Sequence, residues 1–235
     1  MPDAWNSIQS VFNFRFILQY QDQFVLGIAN TIIAAGISLL ASFALGFVIA
    51  LMKISSRRSL VYTANSYIQV IRSTPLLLQI YIVYFGLPAA FPILGGVPEI
   101  ALGTIALTVH TAAYMAEIIR SGILSVPRGQ REGAIAVGMT TWQQYRYVIL
   151  PQGIVNTIPA LLGQTAILIK DTSLLSLITV FDIVSAGMLL NSDLVRPNEG
   201  FLSVAFIFFV FYLAMVGISK VVERRLAGRG WRTSV

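Results

Sequence analysis

The sequence predicts an all-α, polytopic membrane protein with five transmembrane helices and a helical loop on one side of the membrane. Hydrophobic residues make up 56% of the 235 residues and charged residues only 11%, whereas a soluble domain has about 25% charged residues. Mean hydropathy is +0.77. Long apolar runs alternate with short charged segments, and each run approaches or exceeds the ~20 residues that a helix needs to cross a bilayer.

The chain is predicted to begin with an amphipathic segment, residues 1–23, at the outer face of the membrane. This segment mixes polar and aromatic residues and lacks the cationic start, apolar core and small-residue cleavage site of a signal peptide. Residues 24–222 are then predicted to form one five-helix transmembrane domain. Its first span, Phe24–Met52, carries no charge and is rich in glycine, alanine and serine, which suit close helix packing in membranes.

The second span is predicted over Leu60–Pro88 and contains Arg72 and Pro75. At 1.5 Å per residue, Arg72 would lie about 18 Å along the helix, near the middle of the membrane. Pro75 has no backbone N–H, so it is expected to kink this span. An outer loop, Ala89–Pro98, follows.

The third span is predicted over Glu99–Gly122, where Tyr114, Glu117 and Arg120 lie on one side of the helix. The fourth is predicted from Gln152 to about Thr179. Three helix-disturbing residues are expected to make that span irregular, namely Gly153, Pro159 and Gly163. An outer loop at 187–200, the fifth span at Phe201–Val222 and a basic tail at 223–235 complete the predicted order.

A polar loop of about residues 123–151 separates the third and fourth spans and is predicted to end at Pro151. Ile135, Met139 and Trp142 have the spacing of one apolar helix face. Gly138 is predicted to join two short helices at an angle. A loop of this length in a compact protein is usually functional, and an amphipathic basic element suits either a protein partner or the lipid surface.

Most of the 16 basic residues fall into three groups, and with five spans all three groups lie on the same side. The positive-inside rule makes that side cytoplasmic, with the N-terminus outside and the C-terminus inside. The pI of 9.8 therefore reflects membrane topology, and no nucleic-acid partner is predicted. The three groups are Lys53, Arg57 and Arg58; Arg120, Arg128, Arg131 and Arg146; and Lys220, Arg224, Arg225, Arg229 and Arg232.

The sequence offers no enzyme motif. The chain has no cysteine and one histidine, which excludes disulfides and argues against a zinc site. It contains no phosphate-binding GxxxxGK[ST] loop, no G-x-S-x-G and no HExxH. We therefore predict no catalytic residue, cofactor or metal, and any energy for transport must come from an ion gradient or a separate subunit.

Four segments in order resemble the permease subunits of polar amino acid ABC importers. They are Arg72-Ser73-Thr74-Pro75-Leu76-Leu77-x-Gln79, the AYMAEIIRSGI segment at 113–123, the EAA-like loop with Glu132-x-Ala134, Gly138 and Ile149-Leu150-Pro151, and Lys170-Asp171-Thr172-Ser173-Leu174-Leu175. The resemblance covers about residues 20–225. Two departures are visible: Gly133 stands where alanine is usual, and Ser73 where glycine is common.

The resemblance implies a subunit of a bacterial inner-membrane importer whose loop is moved by a separate ATPase. It implies as partners an ATPase subunit dimer, an extracytoplasmic substrate-binding protein and a second permease, either another copy or a paralogue. The pair would form the pathway for a polar amino acid within the lipid bilayer. The implied coupling residues are Arg131, Glu132, Gly133, Ala134, Gly138, Met139, Ile149, Leu150 and Pro151.

Ionisable groups inside a membrane cost about 2.5–3.5 kcal/mol each, so those in the predicted spans are candidates for the pathway. Arg72 suits the carboxylate of an amino acid, Asp171 or Glu117 its ammonium, and Gln79, Thr172 and Ser173 its neutral hydrogen bonds. Other interpretations stay open. Glu117 and Arg120 have the spacing of an ordinary helical ion pair, and Arg72 can pair with Asp171 or Glu117 to hold the bundle together.

Lys170 projects about 100° away from Asp171 on a helix and need not be its partner. His110 lies on the same helix face as Glu117, where it is either packed in the core or part of a proton relay. An ion-coupled secondary carrier using Glu117, Asp171 and His110 is therefore the competing hypothesis, although it leaves the EAA-like loop without a purpose.

Overall fold

The computed structural model describes residues 13–227, so parts of the predicted N-terminal segment and basic tail lie outside the described residues. A 3-10 helix, Phe14–Tyr20, leads directly into the first long helix. The described residues contain helices and no strand, which confirms the all-α prediction. The helices are α1 (Gln21–Lys53), α2 (Arg58–Arg72), α3 (Leu76–Ala90), α4 (Glu99–Leu124), α5 (Arg128–Ala136), α6 (Thr141–Ile178), α7 (Ile183–Leu194) and α8 (Pro197–Ala227).

Four helical stretches are long and apolar enough to cross a membrane, and the bent pair α2–α3 is the fifth candidate. Many large apolar side chains on α1 and α8 are exposed, including Leu40 at 75% and Phe206 at 66%. Lipid tails rather than protein would cover such side chains in a membrane.

The predicted second span is a pair of helices bent by 105°, a much larger break than a proline kink in one continuous helix. α2 ends at Arg72, and α3 begins just after Pro75. The Thr74 hydroxyl donates to the Val70 carbonyl at 3.0 Å and to the Ile71 carbonyl at 3.3 Å, and so binds carbonyls in the last turn of α2. Arg72 therefore lies at a helix end and not in the middle of a helix.

The fourth span also differs from its prediction, because α6 starts at Thr141, inside the predicted loop. Its first turns include a π-helical segment, Gln144–Ile149, and Pro151 falls at the start of the α-helical segment that follows. That segment runs through Pro159 without interruption. The irregularity expected at Gly153, Pro159 and Gly163 lies instead in the π segment and in the terminal 3-10 turns, Thr172–Ile178.

The predicted outer loop at 187–200 is almost entirely helical. α7 continues to Leu194, and α8 begins at Pro197, where proline is favoured in the first turn. Asp182 caps the N-terminus of α7, since its carboxylate accepts the Ser185 N–H at 2.8 Å. The prediction missed α7 because its twelve residues are too few to cross a membrane, and span length was the criterion for a helix.

The chain forms two compact units. The first unit comprises Leu76–Leu107, Ile167–Leu213 and the described part of Met1–Ser38; the second comprises Leu39–Pro75, Thr108–Ala166 and the described part of Ala214–Val235. In the first unit Phe24 packs with Ile183, Leu190 and Val204. A core in the second unit gathers residues from α1, α2, α4 and α6: Ile49, Ala50, Ala64, Ile68, Ala112, Ala113, Ala116, Ile119, Ile123 and Ile149.

Candidate functional site

The exposed helix α5 and the turn after it form the first candidate site. α5 begins directly after Pro127, and eight of its nine residues are exposed, including Arg131, Glu132 and Gly133. Ala134 is the buried exception, at 5% exposure. A short helix that is buried at a single residue contributes little to the core, so its exposed surface is available to a partner.

Gly138 forms the turn between α5 and α6, as the sequence predicts, with a φ of +79°. This left-handed conformation is readily adopted only by glycine. The Met139 N–H donates to the Ala134 carbonyl at 3.0 Å, and the buried Gln144 side chain donates to the Met139 carbonyl at 2.9 Å. The turn is therefore held at both ends by hydrogen bonds.

Thr140 and Gln143 start α6 with a capping box that the sequence analysis missed. The Thr140 N–H donates to Gln143 Oε1 at 2.8 Å, and the Gln143 N–H donates to Thr140 Oγ1 at 3.4 Å. The spacing T-x-x-Q at residues 140–143 is the usual signal for such a helix start. It would have placed the beginning of α6 correctly.

The predicted apolar face of Ile135, Met139 and Trp142 is wrong, because α5 ends at Ala136 and the three residues do not share a helix. Ile135 and Trp142 are 57% and 71% exposed. The other end of the EAA-like segment is divided. Ile149 is buried in the core of the second unit, Leu150 packs at its edge, and Pro151 is exposed.

Arg131 is tied to the first turns of α6. Its guanidinium lies 5.7 Å from the centre of the Tyr145 ring, and its Nη2 donates to the Tyr145 hydroxyl at 3.4 Å. In addition, the Gln152 amide donates to Gln130 Oε1 at 3.2 Å. These contacts connect the first half of α5 to α6, so a force on α5 would reach the spanning helix.

Glu117 forms the centre of a charged cluster in the second unit. Its Oε2 accepts Arg120 Nε at 3.0 Å, which is the ion pair that the sequence spacing allows. Its Oε1 binds the Lys53 ammonium, a partner that sequence reasoning missed. Lys53 is 64 residues away, so no local pattern indicates this contact. Both carboxylate oxygens are thus bound by cations other than Arg72.

Arg72 is exposed at the end of α2, with its guanidinium 5.3 Å from the centre of the Tyr114 ring. The His110 ring packs against the Tyr114 ring, with 5.1 Å between the ring centres, and His110 is only 8% exposed. Stacking on aromatic rings satisfies a guanidinium without using its N–H groups. Arg72 therefore has hydrogen-bonding capacity left for an anion.

The remaining predicted pathway residues lie in the first unit. Gln79 is buried, and Asp171 is half-buried at the end of the α-helical part of α6. Thr172 is fully buried, and its hydroxyl donates to the Ile169 carbonyl at 2.7 Å. The Ser173 carbonyl accepts the Ser176 hydroxyl at 2.8 Å. The Lys170 ammonium lies 5.8 Å from the centre of the Tyr212 ring.

Known proteins resemble the chain over most of its length. Residues 42–228 match the family described as "Binding-protein-dependent transport system inner membrane component". The chain is 34% identical over 215 residues to the probable amino-acid ABC transporter permease PatM of Vibrio harveyi, with 92% of this chain and 96% of PatM covered. It is 36% identical over 199 residues to the probable glutamine permease GlnM of Bacillus subtilis, with 84% and 91% covered.

A solved structure agrees with these relatives. The chain superposes on a crystal structure described as an amino acid ABC transporter with histidines, with a TM-score of 0.85, 36% identity and coverage of 92% of this chain and 99% of that one. The helical fold, the exposed α5 between two spans and these similarities agree with one another. The chain belongs to the family of binding-protein-dependent transport system inner membrane components, the membrane-embedded permease subunits of ABC importers.

Proposed function

We propose that this permease subunit carries a polar amino acid across the membrane, and that α5 couples it to a separate ATPase. The relatives described above are named for amino acids or for glutamine, and a third similar protein is the arginine permease ArtQ of Bacillus subtilis. These names support a polar amino acid as the transported substrate. Family membership implies two kinds of partner, an ATPase and a substrate-binding protein.

The exposed α5 and its glycine turn are the observation that carries the coupling proposal. Arg131, Glu132 and Gly133 present the exposed side of α5, and Ile135 is an apolar anchor on the same short helix. A short helix with a few apolar anchors fits a groove on a protein partner. Gly138 and Met139 form the turn, and the Ala134 carbonyl of α5 accepts the Met139 N–H. Ile149, Leu150 and Pro151 lie further along α6 and are proposed to connect the turn to the spanning helix.

The orientation follows from charge. Basic residues follow α1, flank α5 and end α8, so we place these ends in the cytoplasm and the N-terminus outside.

We further propose that two permeases enclose the pathway, either two copies of this chain or this chain with a paralogue. α2 supports this, because Asn65, Ser66 and Gln69 are exposed on one side of it, and polar side chains are costly next to lipid.

The pathway is proposed to use two groups of residues. In the second unit, Arg72 is the carboxylate ligand, since stacking on Tyr114 leaves its N–H groups available. In the first unit, Asp171 is the ammonium ligand, and Gln79, Thr172 and Ser173 supply neutral hydrogen bonds. Glu117 is proposed to line the pathway without binding the ammonium group itself, because Lys53 and Arg120 already bind its carboxylate.

Replacement of Gly138 by aspartate tests the coupling proposal. Aspartate at a φ of +79° strains the turn and places a charge beside α5. We expect the variant to insert in the membrane normally but to lose co-purification with the ATPase and ATP-driven uptake. The control is Gly96→Asp, which adds the same side chain at a glycine outside α5 that has open space around the added carbon and no positive φ, and it should keep normal co-purification with the ATPase. Normal ATP-driven uptake by the Gly138→Asp variant would refute the coupling role.

A further inference from the structure

A polar cavity of about 480 Å³ lies in the second unit, between α4 and α6. Glu117 and Arg120 supply its charged lining. Neutral polar groups come from both helices, and the cavity extends to Ser125, three residues before α5 begins. The lining residues are Glu117, Ile118, Arg120, Ser121, Gly122, Ser125, Asn156, Thr157 and Ala160.

The charged cluster beside this cavity is net positive, although an acidic residue lines the cavity. Glu117 is shared by two cations, because one oxygen binds Lys53 and the other binds Arg120. The three side chains together carry a net charge of +1. Lys53 is not among the lining residues, so Arg120 is the cation that faces the cavity, while Lys53 offsets the charge of Glu117 from outside it. A bound anion would neutralise this net charge of +1, whereas a bound ammonium group would be a third cation beside the single carboxylate of Glu117.

Arg120 also has the hydrogen-bonding groups for an anion. Its polar contact within the described part of the chain is the one from Nε to Glu117 Oε2, at 3.0 Å. This contact uses one of five N–H groups. The two terminal nitrogens can donate in parallel to both oxygens of a carboxylate, the strongest geometry for this pair. Ser121 and Asn156 line the same cavity and offer neutral hydrogen bonds.

The wall of the cavity is fixed by backbone contact. A side-chain carbon added to Gly122 would collide with the Gly153 carbonyl oxygen and the Thr157 methyl group. One added to Gly153 would lie 2.9 Å from the Ile123 Cα. α4 and α6 therefore touch at a pair of glycines, and Asn156 is tied across them to Ser125 at 3.0 Å. Such a contact holds the polar groups in place before any ligand arrives, which reduces the entropic cost of binding.

We propose that this cavity is a second carboxylate-binding site, separate from Arg72, with Arg120 as its principal ligand. Its ligand is the carboxylate of the amino acid that the permease carries, an assignment that rests on the proposed function. Arg120 binds the carboxylate and Glu117 is a positioning residue that orients the guanidinium. The cavity ends next to α5, so an amino acid bound there would contact the segment that leads into the proposed coupling helix.

The test is calorimetry on the permease–ATPase complex in lipid nanodiscs, without the substrate-binding protein and in an Arg72→Ala background. The probes are glutamine and arginine, each compared with its α-carboxamide, and inorganic phosphate. We expect at least one amino acid to bind and its carboxamide not to bind. Arg120→Gln should weaken this binding about tenfold or more, since a hydrogen-bonded charge is lost, and Arg120→Lys should restore part of it.

A second variant separates binding from folding. Ala160→Leu adds bulk at the exposed edge of the cavity and leaves the charged residues themselves unchanged, and it should abolish binding even if Arg120→Gln impairs assembly. The matched controls are Arg224→Gln and Ala205→Leu, which change exposed residues of α8 and should bind like the Arg72→Ala parent.

The outcomes are distinct. Unchanged amino acid binding in both Arg120→Gln and Ala160→Leu would overturn the site, as would carboxamides that bind as well as the acids. Phosphate binding that depends on Arg120, without amino acid binding, would overturn the cargo assignment. If the unmutated complex shows no ATP-driven uptake of any amino acid, the proposed function fails, whereas normal uptake without an Arg120-dependent site refutes only this inference.

Discussion

Glu117 and Asp182 are both carboxylates among apolar helices, but the protein satisfies them in different ways. Glu117 in the second unit is bound by two cations, Lys53 and Arg120. Asp182 in the first unit is only 1% exposed and has no cation beside it within the described residues. Its Oδ1 accepts the Ser185 N–H at 2.8 Å and the Ser185 hydroxyl at 3.0 Å.

The two residues show two ways to offset the cost of placing a carboxylate away from water. Neighbouring cations offset it at Glu117, and the N-terminus of a helix offsets it at Asp182. An ion pair away from water offsets its desolvation only if both partners stay in place, so removal of one partner leaves an isolated charge. A helix N-terminus supplies backbone N–H groups and a partial positive charge that belong to the helix itself. Loss of the carboxylate should therefore cost more at Glu117 than at Asp182.

The backbone contact under Asp182 is expected to matter more than either carboxylate. A side-chain carbon at Gly27 would lie 2.6 Å from the Asp182 carbonyl oxygen, and the Asn30 amide donates to the neighbouring Phe181 carbonyl at 2.8 Å. Gly27→Val should cost about 3 kcal/mol or more, because the colliding atoms are backbone atoms that cannot move aside. Thermal unfolding and yield of the detergent-solubilised protein measure the effect.

Gly36→Val is the matched control for this variant. It introduces the same side chain into the same helix, and nothing lies within 4 Å of the added carbon. Equal unfolding temperatures for the two variants would show that α1 does not depend on the close approach at Gly27. The role of Asp182 as a fixed end of α7 would then need another explanation.

Replacement of Glu117 by glutamine tests whether its negative charge stabilises the cluster with Lys53 and Arg120. Glu117→Gln leaves Lys53 and Arg120 without their shared carboxylate, and we expect a loss of about 1–3 kcal/mol. Lys53→Gln alone should cost less, because Arg120 still pairs with Glu117. The double variant should be more stable than the sum of the two single losses predicts, since coupled partners are not additive. Additive losses in thermal unfolding would contradict the shared cluster.

Sequence reasoning predicted the features that depend on neighbouring residues. Hydropathy and length indicated the spanning helices, and the spacing of Glu117 and Arg120 indicated their ion pair. Gly138 was correctly placed in a turn between helices because positive φ favours glycine strongly. Each of these inferences uses residues within one helix or one turn, where chain geometry alone brings the groups together.

The features that sequence reasoning missed depend on contacts between distant segments or on competing local signals. Lys53 reaches Glu117 across 64 residues, so only the packed fold shows that the cluster is net positive. Pro75 indicated a kink within one helix, but the structure has two helices bent by 105°, with the Thr74 hydroxyl bound to carbonyls at the end of α2. Pro151 suggested a boundary for the fourth span, whereas the capping box at Thr140 starts the helix earlier.

The smallest effect is expected at Asp182, where two substitutions separate the hydrogen bonds from the charge. Asp182→Asn retains an oxygen that can accept the Ser185 N–H, so its unfolding free energy should stay within about 0.5 kcal/mol of the unmodified protein. Asp182→Ala removes the cap and should cost about 1 kcal/mol. If asparagine proved as harmful as alanine, the negative charge rather than the hydrogen bond would stabilise α7.

The pH dependence provides an independent measurement at the same residue. Burial raises the pKa of Asp182 above its ordinary value of 3.8, although the hydrogen bonds from Ser185 oppose the change. The folded protein therefore holds this proton more tightly than the unfolded chain does. Its contribution to stability is fully present below the unfolded pKa and is lost as the pH rises through the folded pKa. The unmodified protein should thus lose stability relative to Asp182→Asn over that interval, and a gain with rising pH would show that the carboxylate is stabilised as the anion.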